Sequence, residues 1–508
     1  MAHQAHGIRW HALVGNLRYQ PGDPQSGTLS DIVLGFKPTQ AKEIDYFAES
    51  FARNVLEHTL TERAKYPAKY EPPGPEDVLI DDATAQRLNR VVYKWRTKLD
   101  SELRLQPDAK WTNSKALCPH ESDVSEARKR DDPIRQRDED DGFKVGCSCP
   151  LPWKERKASA FLRQYMYNDC YKFYRANRGA FLNLEVVKTL LLYGEMKPIL
   201  RACSHPEADY AKWEDVTECY DVPTQLGWRA LYLHTLDAYL VLNIIYCLPE
   251  SWDAETRRRN QTNNPGPSTA NDYRSTAMYQ KMIRNCTHTD PSPITTYPHQ
   301  DFFGIPDGHF TDQYTMDQSS VDKALARDWP VLKDFLDQLK IRQRDFFAKE
   351  PEFPHGKVPF EVFLNSTKTI PYLPSASDIH RVFNILRSKG LPPELVLMIL
   401  KMAGYDKAER RLPIAHDPFH PDNQEELKKY LTFCWLTLVR CNMFAQELKV
   451  KIDWKREILD ALLRCVGLPR RKHLFKYDYE ANPDRPGKRI YYFLDAQGRV
   501  CHTLRFDA

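Results

Sequence analysis

The short signatures of the commonest catalytic and nucleotide-binding sites are missing from these 508 residues. There is no GxGxxG, no GxxxxGK followed by Ser or Thr, no HExxH, no GxSxG and no CxxC. A dinucleotide fold, a P-loop, a zinc protease, a hydrolase elbow and thioredoxin chemistry therefore have no foothold in the sequence. Catalytic groups that assemble only in space stay open, because they leave no local trace. Glycine is scarce, at 20 residues, which excludes collagen-like repeats and Gly/Ser linkers. Twelve cysteines are too few for a disulfide scaffold. The first twenty residues contain no apolar run long enough for a signal peptide. Reduced thiols and a cytoplasmic or nuclear location are the expectation, with the sequons at Asn260, Asn285 and Asn365 unmodified. No internal repeat is visible.

What is present is core material: 42% hydrophobic residues, 12% aromatic residues and ten tryptophans. Thirty-six prolines break the chain into segments. The patterning predicts a mainly α protein, multi-helix bundle-like domains with a small C-terminal β-hairpin. Ile44, Phe47, Phe51, Val55 and Leu60 form a stripe at helical spacing, and Leu88, Val91, Val92, Trp95 and Leu99 form another. Further helices are expected at 158–173, 182–193, 377–388, 392–403, 423–448 and 454–465. Others follow the capping box at Ser319–Asp322 and Pro330. Ala230–Leu248 is apolar nearly all round, but Asp237 near its centre costs about 2.5–3.5 kcal/mol in a bilayer, so it reads as a buried helix. Ile490–Leu494 and Val500–Phe506 flank a Gly-containing turn and read as the hairpin.

Three parts are expected along the chain. Residues 1–250 form a helical N-terminal domain, with a mobile loop at 121–142 where nine acids and five bases crowd out apolar residues. Residues 251–318, rich in Pro and Asn, are a linker or a long loop. Residues 319–508 form a helical C-terminal domain.

Charge is unevenly placed. The whole chain carries +4, while residues 449–508 hold fourteen cations and eight acids, hence +6. Arg470, Arg471, Lys472 and Lys476, interleaved with Phe and Tyr, are the candidates for phosphate contact and base stacking by a nucleic acid.

No cofactor is expected from any motif; zinc is the metal that one grouping would suit. Cys118, His120, Cys147 and Cys149 supply four soft ligands for a tetrahedral site. A second grouping, His416 and His420, brackets Asp417, Pro418 and Phe419. Prolines 418 and 421 keep it off a helix, and Asp422 reads as the N-cap of the helix that follows. His299 and Asp301, with His309 or His355, imitate a facial metal triad, the plainer reading being a polar loop.

Gly390 suits a left-handed helix cap, Pro393 a first helical position and Glu394 a helix N-terminus, ahead of an apolar face. The pattern Leu391, Pro392, Glu394, Leu395, ending in Ile399-Leu400, resembles the opening of an F-box and extends to Cys434-Trp435. The resemblance implies a helix that docks on a Skp1-like adaptor of a ubiquitin ligase, with Leu391, Pro392, Glu394, Leu395, Met398 and Ile399 at the interface. Gly390–Asn442 as a whole resembles uncharacterised proteins of filamentous fungi, which carry no assigned activity. The function expected is that of an intracellular interaction or adaptor protein docking through the F-box-like helix. A metal-dependent enzyme or metalloprotein and a nucleic-acid-binding protein are the alternatives, and no membrane partner is expected.

Overall fold

A computed structural model describes residues 7–22, 30–34, 41–89, 91–92, 151, 153–164, 178–214, 227–253, 272–287, 293–305, 376–402, 412, 417–465, 475–479, 489–494 and 500–506. The described residues are mostly helical. In chain order they form α1 (Trp10–Val14), β1 (Leu17–Gln20), β2 (Asp31–Leu34), α2 (Ala41–Arg63), α3 (Ala158–Phe161), α4 (Arg178–Tyr193), α5 (Met196–Cys203) and α6 (Trp228–Tyr246). Then come α7 (Ala277–Thr287), α8 (Pro293–Phe303), α9 (Ala376–Ser388), α10 (Pro393–Met402), α11 (Gln424–Glu447) and α12 (Trp454–Cys465). Strands β3 (Phe475–Tyr479), β4 (Arg489–Leu494) and β5 (Val500–Phe506) form an antiparallel sheet in that order. The expected mainly α fold with a small C-terminal β element is what forms.

Helix α6 is the axis of the core. Its apolar circumference is covered by α4, α7, α8, α11 and α12, so nearly every residue from Trp228 to Ile245 is buried. No helix among the described residues is long and apolar enough to cross a membrane. Asp237, the residue that argued against a span, is buried and accepts a hydrogen bond from the Asn285 amide at 3.1 Å. Asn285 is half-buried on α7 with its amide engaged.

Helix α2 packs on α11 and α12, joining the beginning of the chain to its end. Phe51 meets Trp435 edge-on at 5.5 Å, and Tyr239 of α6 lies 5.4 Å from the same indole. Trp435 Nε1 donates to His58 Nδ1 at 2.9 Å. Deeper in the seam, Asn442 donates to Thr59 Oγ1 and accepts from Trp454 Nε1, tying three helices with two bonds of 2.9 and 2.8 Å. Asn442, Thr59 and Trp454 thus find partners across helices, as low-dielectric packing favours. The surface of the seam carries Arg63–Glu447 and Lys455 between Asp45 and Glu49.

Several expectations need correction. The stripe on α2 runs from Val55 to buried Thr59, and Leu60 is 66% exposed, because i+4 and not i+5 stays on the core face. Of the helix expected over 158–173, the described helical part ends at Phe161, and 165–173 lie outside the described residues. The carbonyls of Ala160 and Phe161 accept from Asn183 and from the Tyr210 hydroxyl, so tertiary partners replace the next helical turn. Within the tract expected to lack periodicity, α7 carries Met278, Tyr279, Met282, Ile283 and Cys286 on one buried face, and α8 follows it. That stripe was present in the sequence. The polar loop expected at His299–Asp301 is instead part of α8, where burying His299, Phe302 and Phe303 outweighs the bond lost at Pro298. Strands β1 and β2, paired from Leu17–Leu34 to Gln20–Asp31, were not anticipated, and β3 adds a third strand to the terminal hairpin. The charged loop at 121–142 and the helices expected at 319–339 lie outside the described residues.

Candidate docking surface

Helices α9 and α10 form a hairpin whose turn the sequence anticipated. Gly390 has φ +87°, its N–H donates to Arg387 O at 2.9 Å, and Leu391 N–H donates to Leu386 O at 3.3 Å. This pair of reversed bonds satisfies the last carbonyls of α9 and needs a left-handed residue, which glycine supplies without strain. The same device closes α4, where Gly194 has φ +76° and Arg440 donates to the carbonyls of Leu191 and Leu192. Pro392 O accepts from Val396 N at 3.1 Å to start α10, and Glu394 sits in its positive first turn.

The burial pattern of α10 is unusual for so apolar a helix. Val396 and Leu400, one turn apart, are buried and lie outside the main core. Leu395, Leu397, Met398 and Ile399 are exposed, Leu397 at 58% and Met398 at 51%. At about 100° per residue these four positions cover more than half the helix circumference. Val382 and Ile385 of α9 are exposed as well. Of the residues the F-box resemblance singled out, Pro392, Glu394, Leu395, Met398 and Ile399 are exposed and Leu391 is half-buried. Cys434 and Trp435, to which that resemblance extends, belong to the main core against α2 and α6.

The other candidate residues separate. His420 caps a 3-10 turn at Pro421–Asn423: its Nδ1 accepts from Asp422 N–H at 3.2 Å. Asp422 is therefore not the N-cap. Asn423 holds that position, and its amide donates to Asp417 O because the preceding turn brings the two together. His416, Cys118, His120, Cys147, Cys149, Arg470, Arg471 and Lys472 lie outside the described residues. The backbone of Lys476 lies in β3, and its side chain is outside them. Among the described residues no group of three or more His, Cys, Asp and Glu could hold a metal ion.

A buried polar cluster lies between α6, α7, α8 and α11. The His299 ring hydrogen-bonds the Tyr430 hydroxyl, Phe302 stacks on the Tyr430 ring at 3.6 Å, and the Cys286 thiol donates to His234 O at 3.3 Å. Burial lowers the His299 pKa to about 3 and raises those of Tyr430 and Cys286 well above their ordinary values. Near neutral pH all three groups are uncharged, so this cluster contains neither a thiolate nor an imidazolium. Its geometry joins four helices.

The model of one protein family, the gramillins biosynthetic cluster protein GRA5, matches residues 11–477. The chain belongs to that family. Nearly all of the GRA5-type match lies outside the short fungal resemblance at 390–442, and its fungal character agrees with that resemblance. No curated protein and no solved structure matches the chain. The family's description refers to a biosynthetic cluster and names no reaction.

Proposed function

We propose that this member of the GRA5 family is an interaction protein of a fungal biosynthetic cluster, docking on another protein through the α9–α10 hairpin. The observation that carries the reading is the exposure of Leu395, Leu397, Met398 and Ile399 on a helix that, among its described side chains, buries Val396 and Leu400. An exposed apolar helix face is costly to leave in water, and contiguous apolar patches of this kind mark interaction sites on soluble proteins. Burying such side chains is worth about 1.5–3 kcal/mol each when complete, enough for a few of them to offset the entropy of association. The F-box likeness is local to this helix, since Cys434 and Trp435 are engaged in the main core. A Skp1-like adaptor is the specific partner that likeness implies.

The test is direct binding of the full-length protein, and of Leu397→Ser/Met398→Ser, to the purified products of the same cluster and to a Skp1-like adaptor. The expected result is saturable binding to one cluster product, lost in the variant at unchanged melting temperature. Binding to the adaptor alone selects the F-box form of the proposal. Absence of binding to every product and to the adaptor overturns the docking role.

A further inference from the structure

The hairpin has a second property, the sign of its rim. Ile385 lies one helical turn from Arg381 on one side and Lys389 on the other, and all three side chains are exposed. Arg381 and Lys389 have no ion-pair partner among the described residues. Arg387, also exposed, lies over the Phe383 ring at 5.9 Å and adds a third cation to α9. Over residues 376–402 the cations are Arg381, Arg387, Lys389 and Lys401, against Asp378 and Glu394, so the hairpin carries +2.

We infer that the occupant of this face is an amphipathic helix of another protein, its apolar stripe seated on Leu397, Met398 and Ile385 and its edges lined by Asp or Glu. The inference rests on the docking role proposed above and specifies the partner's chemistry. A helix laid on a two-helix surface contacts it through side chains at i, i+3, i+4 and i+7, a stripe that α9 and α10 match in kind. Carboxylates along its edges meet Arg381 and Lys389, which steers encounter and fixes orientation. A second copy of this chain is disfavoured, because an isologous contact sets the two cationic rims of α9 against each other. A lipid surface is disfavoured too, since polybasic membrane attachment uses about four to eight clustered cations, unrelieved by acids such as Asp378 and Glu394.

The experiment uses the full-length protein and two synthetic helical peptides with one leucine stripe, flanked by Glu in the first and by Lys in the second. Binding is followed by fluorescence anisotropy at low and high salt, alongside sedimentation of the protein alone and flotation with phosphatidylserine vesicles. The Glu peptide is expected to bind at least about tenfold more tightly than the Lys peptide, with the preference shrinking as salt rises. Arg381→Glu/Lys389→Glu should invert the preference, and Leu397→Ser/Met398→Ser should abolish binding of both peptides. Equal binding of the two peptides, still lost in the serine variant, overturns the acidic partner and leaves the docking role standing. Self-association or vesicle binding that depends on Leu397 and Met398 also overturns it, in favour of a second copy or a lipid surface. If neither peptide binds, and the serine variant matches the wild type in every assay, both the inference and the docking role fail.

Discussion

Helices α6 and α10 are both apolar around most of their circumference, yet α6 is buried along nearly its whole length while Leu395, Leu397, Met398 and Ile399 of α10 are exposed. The difference lies in their neighbours. Helices α4, α7, α8, α11 and α12 pack on α6, and its buried Asp237 is met by Asn285 from one of them. Helix α10 pairs with α9 and buries Val396 and Leu400, while Leu395, Leu397, Met398 and Ile399 are exposed. Hydrophobic periodicity states how much cover a helix needs. It does not state whether the same chain supplies that cover. In α6 the requirement is met within the chain, and on α10 Leu395, Leu397, Met398 and Ile399 stay exposed.

That contrast can be tested through stability. The largest effect is expected at Trp435, wedged between Phe51 and Tyr239 and bonded to His58. Trp435→Ala should cost about 3–5 kcal/mol by the cavity it leaves, measured by urea unfolding. A loss below about 1 kcal/mol would mean that α2, α6 and α11 do not meet as described.

The next effect is pH-linked. His299 has a folded pKa of about 3 against an ordinary 6.5, so the unfolded chain takes up this proton first. Stability from His299 is therefore complete above pH 6.5 and falls as pH drops toward 3. With roughly 1.4 kcal/mol per pH unit for one proton, about 2 kcal/mol should disappear between pH 6.5 and pH 4.5. His299→Gln should flatten the curve over this window, and parallel curves for the two proteins would sink the assignment.

Asn442→Ala is expected to cost about 1–3 kcal/mol, since it leaves Trp454 Nε1 without its acceptor in the interior. A double-mutant cycle with Thr59→Val should give a coupling of order 1 kcal/mol across the α2–α11 seam. Additive losses would show that the seam is not a network. The smallest effect belongs to α10: Leu397→Ser/Met398→Ser should change stability by no more than about 0.5 kcal/mol, as exposed sites do. A loss comparable to that of Trp435→Ala would place these residues in an interior and remove the contrast.

Much of the helical layout was legible because amphipathic spacing and end signals are local. Trp454–Cys465 appears at its expected limits, and α6, α9, α10 and α11 begin and end within two residues of theirs. Gly390 could be read as a left-handed cap from its place between two helical patterns, and its φ of +87° agrees. Helix α7 was legible and passed over, its Met278–Cys286 stripe hidden among Asn, Thr and Pro. Helix α8 was not legible, since Pro298 argues against a helix and only packing overrides it. For the candidate docking surface, the sequence marked Leu395, Met398, Ile399 and Met402 as an apolar face, the Met402 side chain lying outside the described residues. It could not distinguish that face from Val396 and Leu400, because all of these residues are apolar.

The division between the two sources of information follows from range. Residue spacing, prolines, glycines and capping groups act within a few positions, so the sequence alone placed α6, α9, α10, α11 and α12, set Asp237 against α6 as a membrane span, and marked where the chain turns at Gly390. Contacts between residues hundreds of positions apart leave no such trace. Only the tertiary structure decided that Thr59 meets Asn442, that His299 is buried against Tyr430, and that α6 is enclosed while α10 is left open. Burial is a property of what surrounds a side chain, and the surroundings are assembled from the whole chain at once.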